Sequence, residues 1–296
     1  MASEERPVTL DALLPPDVAR SAETVGVAKA NMRADRLFVL GVLAGAFIGL
    51  GAMFATVVTA GTTPPTGSTR VLGGVAFSLG LILVVIGGAE LFTGNNLMSI
   101  AYASHRIRLR ALLRAWAIVY VANFVGAVLT ALVVYWSGET RNVPHLGVRA
   151  LDIAVAKTSI PFGEAILLGI VANGLVCLAV WMAMAGRSVT DKVLAIVLPI
   201  SAFVAAGFEH SIANMYFVPA GLFIQRWAPH AFWTANGIKP AAYNGLSWWN
   251  FIVHNLVPVT IGNVIGGAIL VGLVYWYVYR RSIAVPDSST SESDPA

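Results

Sequence analysis

The sequence predicts an all-α integral membrane protein with six transmembrane spans, arranged as two inverted three-span repeats whose second and fifth spans are broken. Composition, the lengths of the apolar blocks and a motif that occurs twice lead to this reading. Of the 296 residues, 57% are hydrophobic and only 11% charged, with a mean hydropathy of +0.75. Such a balance excludes an ordinary soluble domain.

Apolar blocks bounded by charges or turn residues run over Leu37 to Ala60, Val71 to Ser104, Ala115 to Gly138, Ala165 to Gly186, Val193 to Gln225 and Phe251 to Tyr279. A helix crosses the hydrocarbon in ~20 residues, which suits four of them. The second and fifth, at 34 and 33 residues, would reach about 50 Å as single helices at ~1.5 Å per residue. Each is therefore read as two half-helices joined by non-helical backbone, which persists at membrane depth only where protein buries it or where it lines a cavity.

The repeat appears in the third and sixth blocks. N-F-V-G-A-V-L-T-A-L-V-V-Y-W starts at Asn123 and N-V-I-G-G-A-I-L-V-G-L-V-Y-W at Asn263. In the broken blocks Glu90 precedes Asn95 by the same spacing as Glu209 precedes Asn214. Three spans per half is odd, so the halves enter the membrane from opposite sides, and that architecture places a site near the midplane. Gly41, Gly45 and Gly49, like Gly262 and Gly266, have the spacing that permits close helix contact.

Residues 1–36 form an N-terminal segment in which Val18, Ala22, Val25 and Ala28 recur at near-helical spacing, predicting a short interfacial helix. Residues 37–281 form the transmembrane domain, with repeats at about 37–138 and 165–279. Residues 282–296, rich in Pro, Ser and acids, read as a disordered tail. With the N-terminus inside, 13 of the 19 Lys and Arg fall on the cytoplasmic side, so both termini are expected there. The net charge of +4 thus reflects topology in a lipid bilayer, and no nucleic-acid partner is expected. The single cysteine, Cys177, excludes an intrachain disulfide.

Turn-prone sequence marks each break. The first is G-G-A-E-L-F-T-G-N-N-L-M from Gly87 and the second G-F-E-H-S-I-A-N-M from Gly207, which holds the only charged or imidazole groups of its block, Glu209 and His210. Glu90 and Glu209 recur in both halves, so they are read as structural carboxylates accepting backbone N–H groups at the breaks. His210 aligns with Leu91 and has no counterpart. Ionisable groups within spans are functional by default, and this asymmetry marks the histidine.

With F-S-L-G-L-I-L from Phe77, G-A-E-L-F-T-G-N from Gly88, N-G-L-V-C-L-A-V-W-M from Asn173 and P-V-T-I-G-N-V-I-G-G from Pro258, these motifs resemble the formate/nitrite transporter family, and its formate-channel branch most. The resemblance implies an aquaporin-like protomer, a homopentamer with one pore per protomer, passage of small monovalent anions and a place in the cell inner membrane. It implies a substrate pathway past Thr93, His210, Asn214 and Asn173, with Lys157 in an external loop drawing anions in. Phe77, Leu81, Leu91 and Phe203, packing residues by type, become constrictions only through that resemblance. Formate is the expected substrate and nitrite the alternative, with hydrosulfide or short carboxylates behind. Histidine, with an unperturbed pKa of about 6.5, suits protonating or hydrogen-bonding a weak-acid anion.

No enzyme activity, cofactor or metal is expected. A haem-bearing anchor for a redox enzyme needs paired histidines, and His105, His145, His230 and His254 lie near span ends without such spacing. A scaffold would carry no flux.

Overall fold

The computed structural model describes residues 11–62 and 64–281. The expected disordered tail and the start of the N-terminal segment lie outside them. The helices are α1 (Pro15–Ala30), α2 (Ala34–Thr59), α3 (Gly67–Gly87), α4 (Ser99–Ala103), α5 (Leu109–Trp136), α6 (Glu139–Asn142), α7 (Leu146–Thr158), α8 (Phe162–Ala185), α9 (Val189–Ala206), α10 (Ser211–Trp227), α11 (His230–Ala235) and a continuous α12 (Asn250–Tyr279). Of these, α2, α3, α5, α8, α9 and α12 are long and apolar enough to cross a membrane. In the first half α2 packs on α3 and α5, in the second α8 packs on α9 and α12, and α3 against α9 joins the halves.

Both breaks fall where the motifs put them. Gly88 and Gly207 end α3 and α9 in the left-handed region at φ 73° and 79°, which glycine adopts at little cost. Beyond these glycines the two repeats diverge. The second break leads into the 17-residue α10, whereas the first leads only into a 3-10 turn at Gly94–Met98 and the five-residue α4. The expected half-helix is thus absent from the first repeat. Gly94, Asn95 and Asn96 favour turns over helix, and His105 at φ 56° turns the chain soon after.

Close contact explains the glycines. A Cβ at Gly45 would meet the backbone carbonyl of Asn123, and one at Gly266 that of Ile170. Gly266→Leu should therefore separate α8 from α12 and remove the sharp size-exclusion peak of the detergent-purified protein. Gly163→Ala, which meets nothing within 4 Å, should leave that peak intact.

Helix α1 rests on the end of the bundle. Val18, Ala19, Ala22, Gly26 and Ala30 are buried against α4, α8 and their neighbours, while Ala28 is exposed. The buried Glu23 on the same face accepts from Ser104 Oγ at 2.8 Å, Arg106 Nη1 at 3.1 Å and Arg280 Nε at 2.9 Å. These polar partners fasten α1 to the end of the bundle.

Burial pushes the Glu23 carboxyl up, but bonds from Arg280 and Ser104 and the charge of both arginines hold it below the ordinary range. A depressed folded pKa gives stabilisation that is complete above the unfolded value of about 4.3 and is lost as pH falls through the folded value. Hydrogen exchange of α1 amides should accelerate as pH drops below about 4, and Glu23→Gln should show the same acceleration at neutral pH.

Candidate functional site

Non-helical backbone inside an apolar bundle needs hydrogen-bond partners, and one asparagine per repeat supplies them. Asn123 on α5 donates through Nδ2 to the carbonyls of Gly41 at 2.7 Å and Glu90 at 2.9 Å, and its Oδ1 accepts the Phe92 N–H at 2.9 Å. Asn263 on α12 repeats this with the carbonyls of Gly169 and Glu209 and the Ser211 N–H, each at 2.9 Å. Both asparagines are fully buried. The duplicated motif therefore encodes the stitching of each break.

The carboxylates do something other than the sequence suggested. Glu90 accepts from Asn95 Nδ2 at 2.8 Å and pairs with Lys29 at 3.0 Å. Glu209 accepts from Asn214 Nδ2 at 2.7 Å and pairs with Lys157 at 2.6 Å. Their partners are side chains because the asparagines already satisfy the nearby backbone. Lys157 is not in a loop either: it occupies the last turn of α7, its side chain 18% exposed. The second repeat adds Asn255, which donates to Glu209 Oε2 at 3.2 Å and to the Lys157 carbonyl at 2.7 Å.

Two cavities share α3 and α9 but no lining residue. The smaller, about 280 Å³, takes Leu81 and Val84 from the end of α3, Lys192 from the start of α9, Leu91 from the first break and Lys29 from α1. The larger, about 500 Å³, takes Arg70 and Phe77 from the start of α3, Phe203 from the end of α9, and Lys157, His210 and Asn214. Because α3 and α9 are used in opposite order, the cavities lie at opposite ends of the bundle. Each presents one more cation than carboxylate: Lys29 and Lys192 against Glu90, and Arg70, Arg149 and Lys157 against Glu209 and Asp152.

Between them Thr93 Oγ1 meets His210 Nε2 at 2.9 Å, with Thr93 fully buried and His210 3% exposed. Phe77 and Phe203 close the larger cavity edge to face at 5.5 Å between ring centroids, and Phe203 lies 5.9 Å from the imidazole. Leu81 and Leu91 close the smaller. His210 also caps α10, its Nδ1 accepting the Ala213 N–H at 3.1 Å. That bond assigns the neutral tautomer: the proton sits on Nε2 and points to Thr93.

Asn173 faces neither cavity. It is fully buried and donates to Asn96 Oδ1 at 2.8 Å and to the Asn263 carbonyl at 2.6 Å, bracing the wall behind Thr93. Cys177 is also buried there, its thiol donating to the Thr93 carbonyl at 3.3 Å.

The family model for the formate/nitrite transporter matches residues 16–277. The chain belongs to the formate/nitrite transporter family. It is 48% identical over 273 residues to the formate channel FocA of Escherichia coli K12, covering 92% of this chain and 96% of that one. It is 41% identical over 282 residues to FocA of Haemophilus influenzae, covering 95% and 99%. A solved pentameric formate channel with formate bound shares 45% identity and a TM-score of 0.79, covering 84% of this chain and 98% of that one.

Of the residues expected from the sequence, Leu81 and Leu91 line the smaller cavity, Phe77, Phe203, Lys157, His210 and Asn214 line the larger, and Thr93 meets His210; Lys29, Lys192, Arg70 and Asn255, which also line the cavities or hold Glu209, were not anticipated. Lys29 is the partner of Glu90 as Lys157 is of Glu209. The recurring Glu and Asn could have prompted a search for a second lysine, but it arrives from α1, outside the repeat.

Proposed function

We propose that this protein is a formate channel of the cell inner membrane, a homopentamer with a pore through each protomer and both termini in the cytoplasm. The observation that carries the reading is the buried Thr93–His210 contact between two cavities that each hold surplus positive charge. The identity to FocA and the likeness to a pentameric formate channel support cargo and assembly. The excess of Lys and Arg on the side of the N-terminus supports the topology.

Positive cavities raise the local anion concentration at either mouth. Crossing the apolar constrictions is the costly step, since an ion in low dielectric loses several kcal/mol of solvation even after relaxation. At the midpoint the anion takes a hydrogen bond from His210 Nε2–H and another from the Thr93 hydroxyl. With Nδ1 engaged by Ala213, surrender of the Nε2 proton would leave an imidazolate. His210 therefore acts as a neutral donor, and the neutralising proton comes from the cavity, since stripping water from a carboxylate raises its proton affinity. Release on the far side returns the proton to water.

Competitive uptake of formate, nitrite, acetate and hydrosulfide into proteoliposomes tests this. Formate should be fastest, with its rate rising as external pH falls. Nitrite faster than formate at every pH would assign the protein to the nitrite alternative, and absence of flux would overturn the channel reading.

A further inference from the structure

The larger cavity contains more positive charge than its lysine explains. Lys157 is committed, its ammonium held by Glu209 at 2.6 Å and its helix end by Asn255. Arg149, two turns earlier on α7, is differently placed. Its Nε donates to Thr59 Oγ1 on α2 at 3.1 Å, which fixes the plane of the guanidinium. Its two Nη groups have no hydrogen-bond partner among the described residues. Asp152, the nearest carboxylate on its own helix, forms no ion pair with it and accepts instead from the Tyr243 hydroxyl at 3.3 Å. Burial holds that carboxyl above its ordinary range despite Tyr243 and Arg149.

A second guanidinium lines the same cavity from another wall. The guanidinium of Arg70, in the first turn of α3, has no hydrogen-bond or ion-pair partner among the described residues, and its Nη2 lies 3.1 Å from where a Cβ of Gly207 would stand. It therefore rests against the second break, with the missing side chain of Gly207 giving it room. The cavity, at about 500 Å³, is nearly twice the other and far larger than one small anion.

We infer that Arg149, anchored by Thr59 and assisted by Arg70, forms a carboxylate-binding subsite in the larger cavity that holds one monovalent anion before the Phe77–Phe203 constriction. A planar guanidinium with a fixed Nε and open Nη donors matches the two oxygens of a carboxylate. A lysine already paired with a carboxylate offers no such match. The subsite rests on the anion-channel reading, and it gives the two faces of the channel different concentration dependence, because the smaller cavity offers only ammonium groups.

The test is initial-rate uptake by oriented proteoliposomes, measured from each face with formate, acetate, nitrite and chloride. Arg149→Gln should raise KM for entry from the larger-cavity face about tenfold, the size expected for one charge-assisted hydrogen bond, with maximal rate within twofold. Entry from the smaller-cavity face should keep its KM. Arg149→Lys should fall between, and Arg70→Gln should give a smaller rise in the same direction. Unchanged KM in Arg149→Gln, or an equal loss of maximal rate from both faces, overturns the subsite. Should Arg149→Gln not fold, Arg70→Gln decides alone: no rise overturns the subsite. A wild-type channel that carries nitrite or chloride but not formate overturns the cargo assignment only, and the arginine variants are then compared on the anion carried. No flux of any anion overturns both.

Discussion

Replacing His210 by phenylalanine is expected to lower formate flux by about 10- to 100-fold and to shift the remaining flux toward lower pH. The size follows from loss of one hydrogen bond to an ion, worth ~1.5–3 kcal/mol, at the point where no water substitutes for it. Phenylalanine fills similar volume beside Phe203, so the constriction stays closed to bulk water. The variant also loses the cap on Ala213, which costs α10 about 1 kcal/mol and leaves the fold standing. The pH shift has a separate cause. Without the Nε2–H donor the anion is less stabilised at the midpoint, so more of it must cross as the neutral acid. Proteoliposome uptake between pH 5 and 8 measures both effects. Asn214→Ala separates the donor from its surroundings, because it disturbs the Glu209 side chain and leaves His210 capped.

Asn263→Leu should be the most destabilising single substitution in the bundle. One side chain satisfies the carbonyls of Gly169 and Glu209 and the N–H of Ser211. Leucine leaves all three in a low-dielectric interior, at ~1–3 kcal/mol each, a large share of the ~5–15 kcal/mol that holds a typical domain together. Thermal unfolding in detergent should show no folded population at growth temperature, or a melting point lowered by more than ten degrees. Asn123→Leu should behave alike, since its three bonds are the same. A melting point within two degrees of wild type for either variant would show that these breaks are stabilised by something else.

Much of this was legible in the sequence, for identifiable physical reasons. Span lengths follow from hydrocarbon thickness, so the blocks of 34 and 33 residues announced their own interruptions. The breaks fall at Gly88 and Gly207 because a left-handed turn inside an apolar helix needs glycine. Asn123 and Asn263 were visible as a repeat, though not as the groups that bind the broken backbone, because that role depends on where a distant segment passes. The same reason defeated the reading of Glu90 and Glu209. Beside the asparagines five residues on, each is held by a lysine, from α1 or α7, elements whose docking no local pattern records.

Lys29 was hidden by its position on a helix outside the repeat, which Glu23 fastens to the bundle. The short α4 was hidden because the apolar block runs on to Ser104 across the non-helical stretch that follows Gly88. His210 was found through its asymmetry, opposite Leu91 in the other repeat. The structure adds that its Nδ1 accepts the Ala213 N–H, which supports the hydrogen-bonding half of the expectation over the protonating half.

That distinction is the centre of the mechanism, and nitrogen-15 spectroscopy of protein labelled at histidine, with His210→Phe used to assign the signal, tests it directly. In the presence of formate and across the pH range of transport, His210 should show one protonated nitrogen, Nε2, and one unprotonated nitrogen, Nδ1. A spectrum with both nitrogens protonated when formate is bound would contradict the neutral-donor mechanism and restore His210 as the source of the proton.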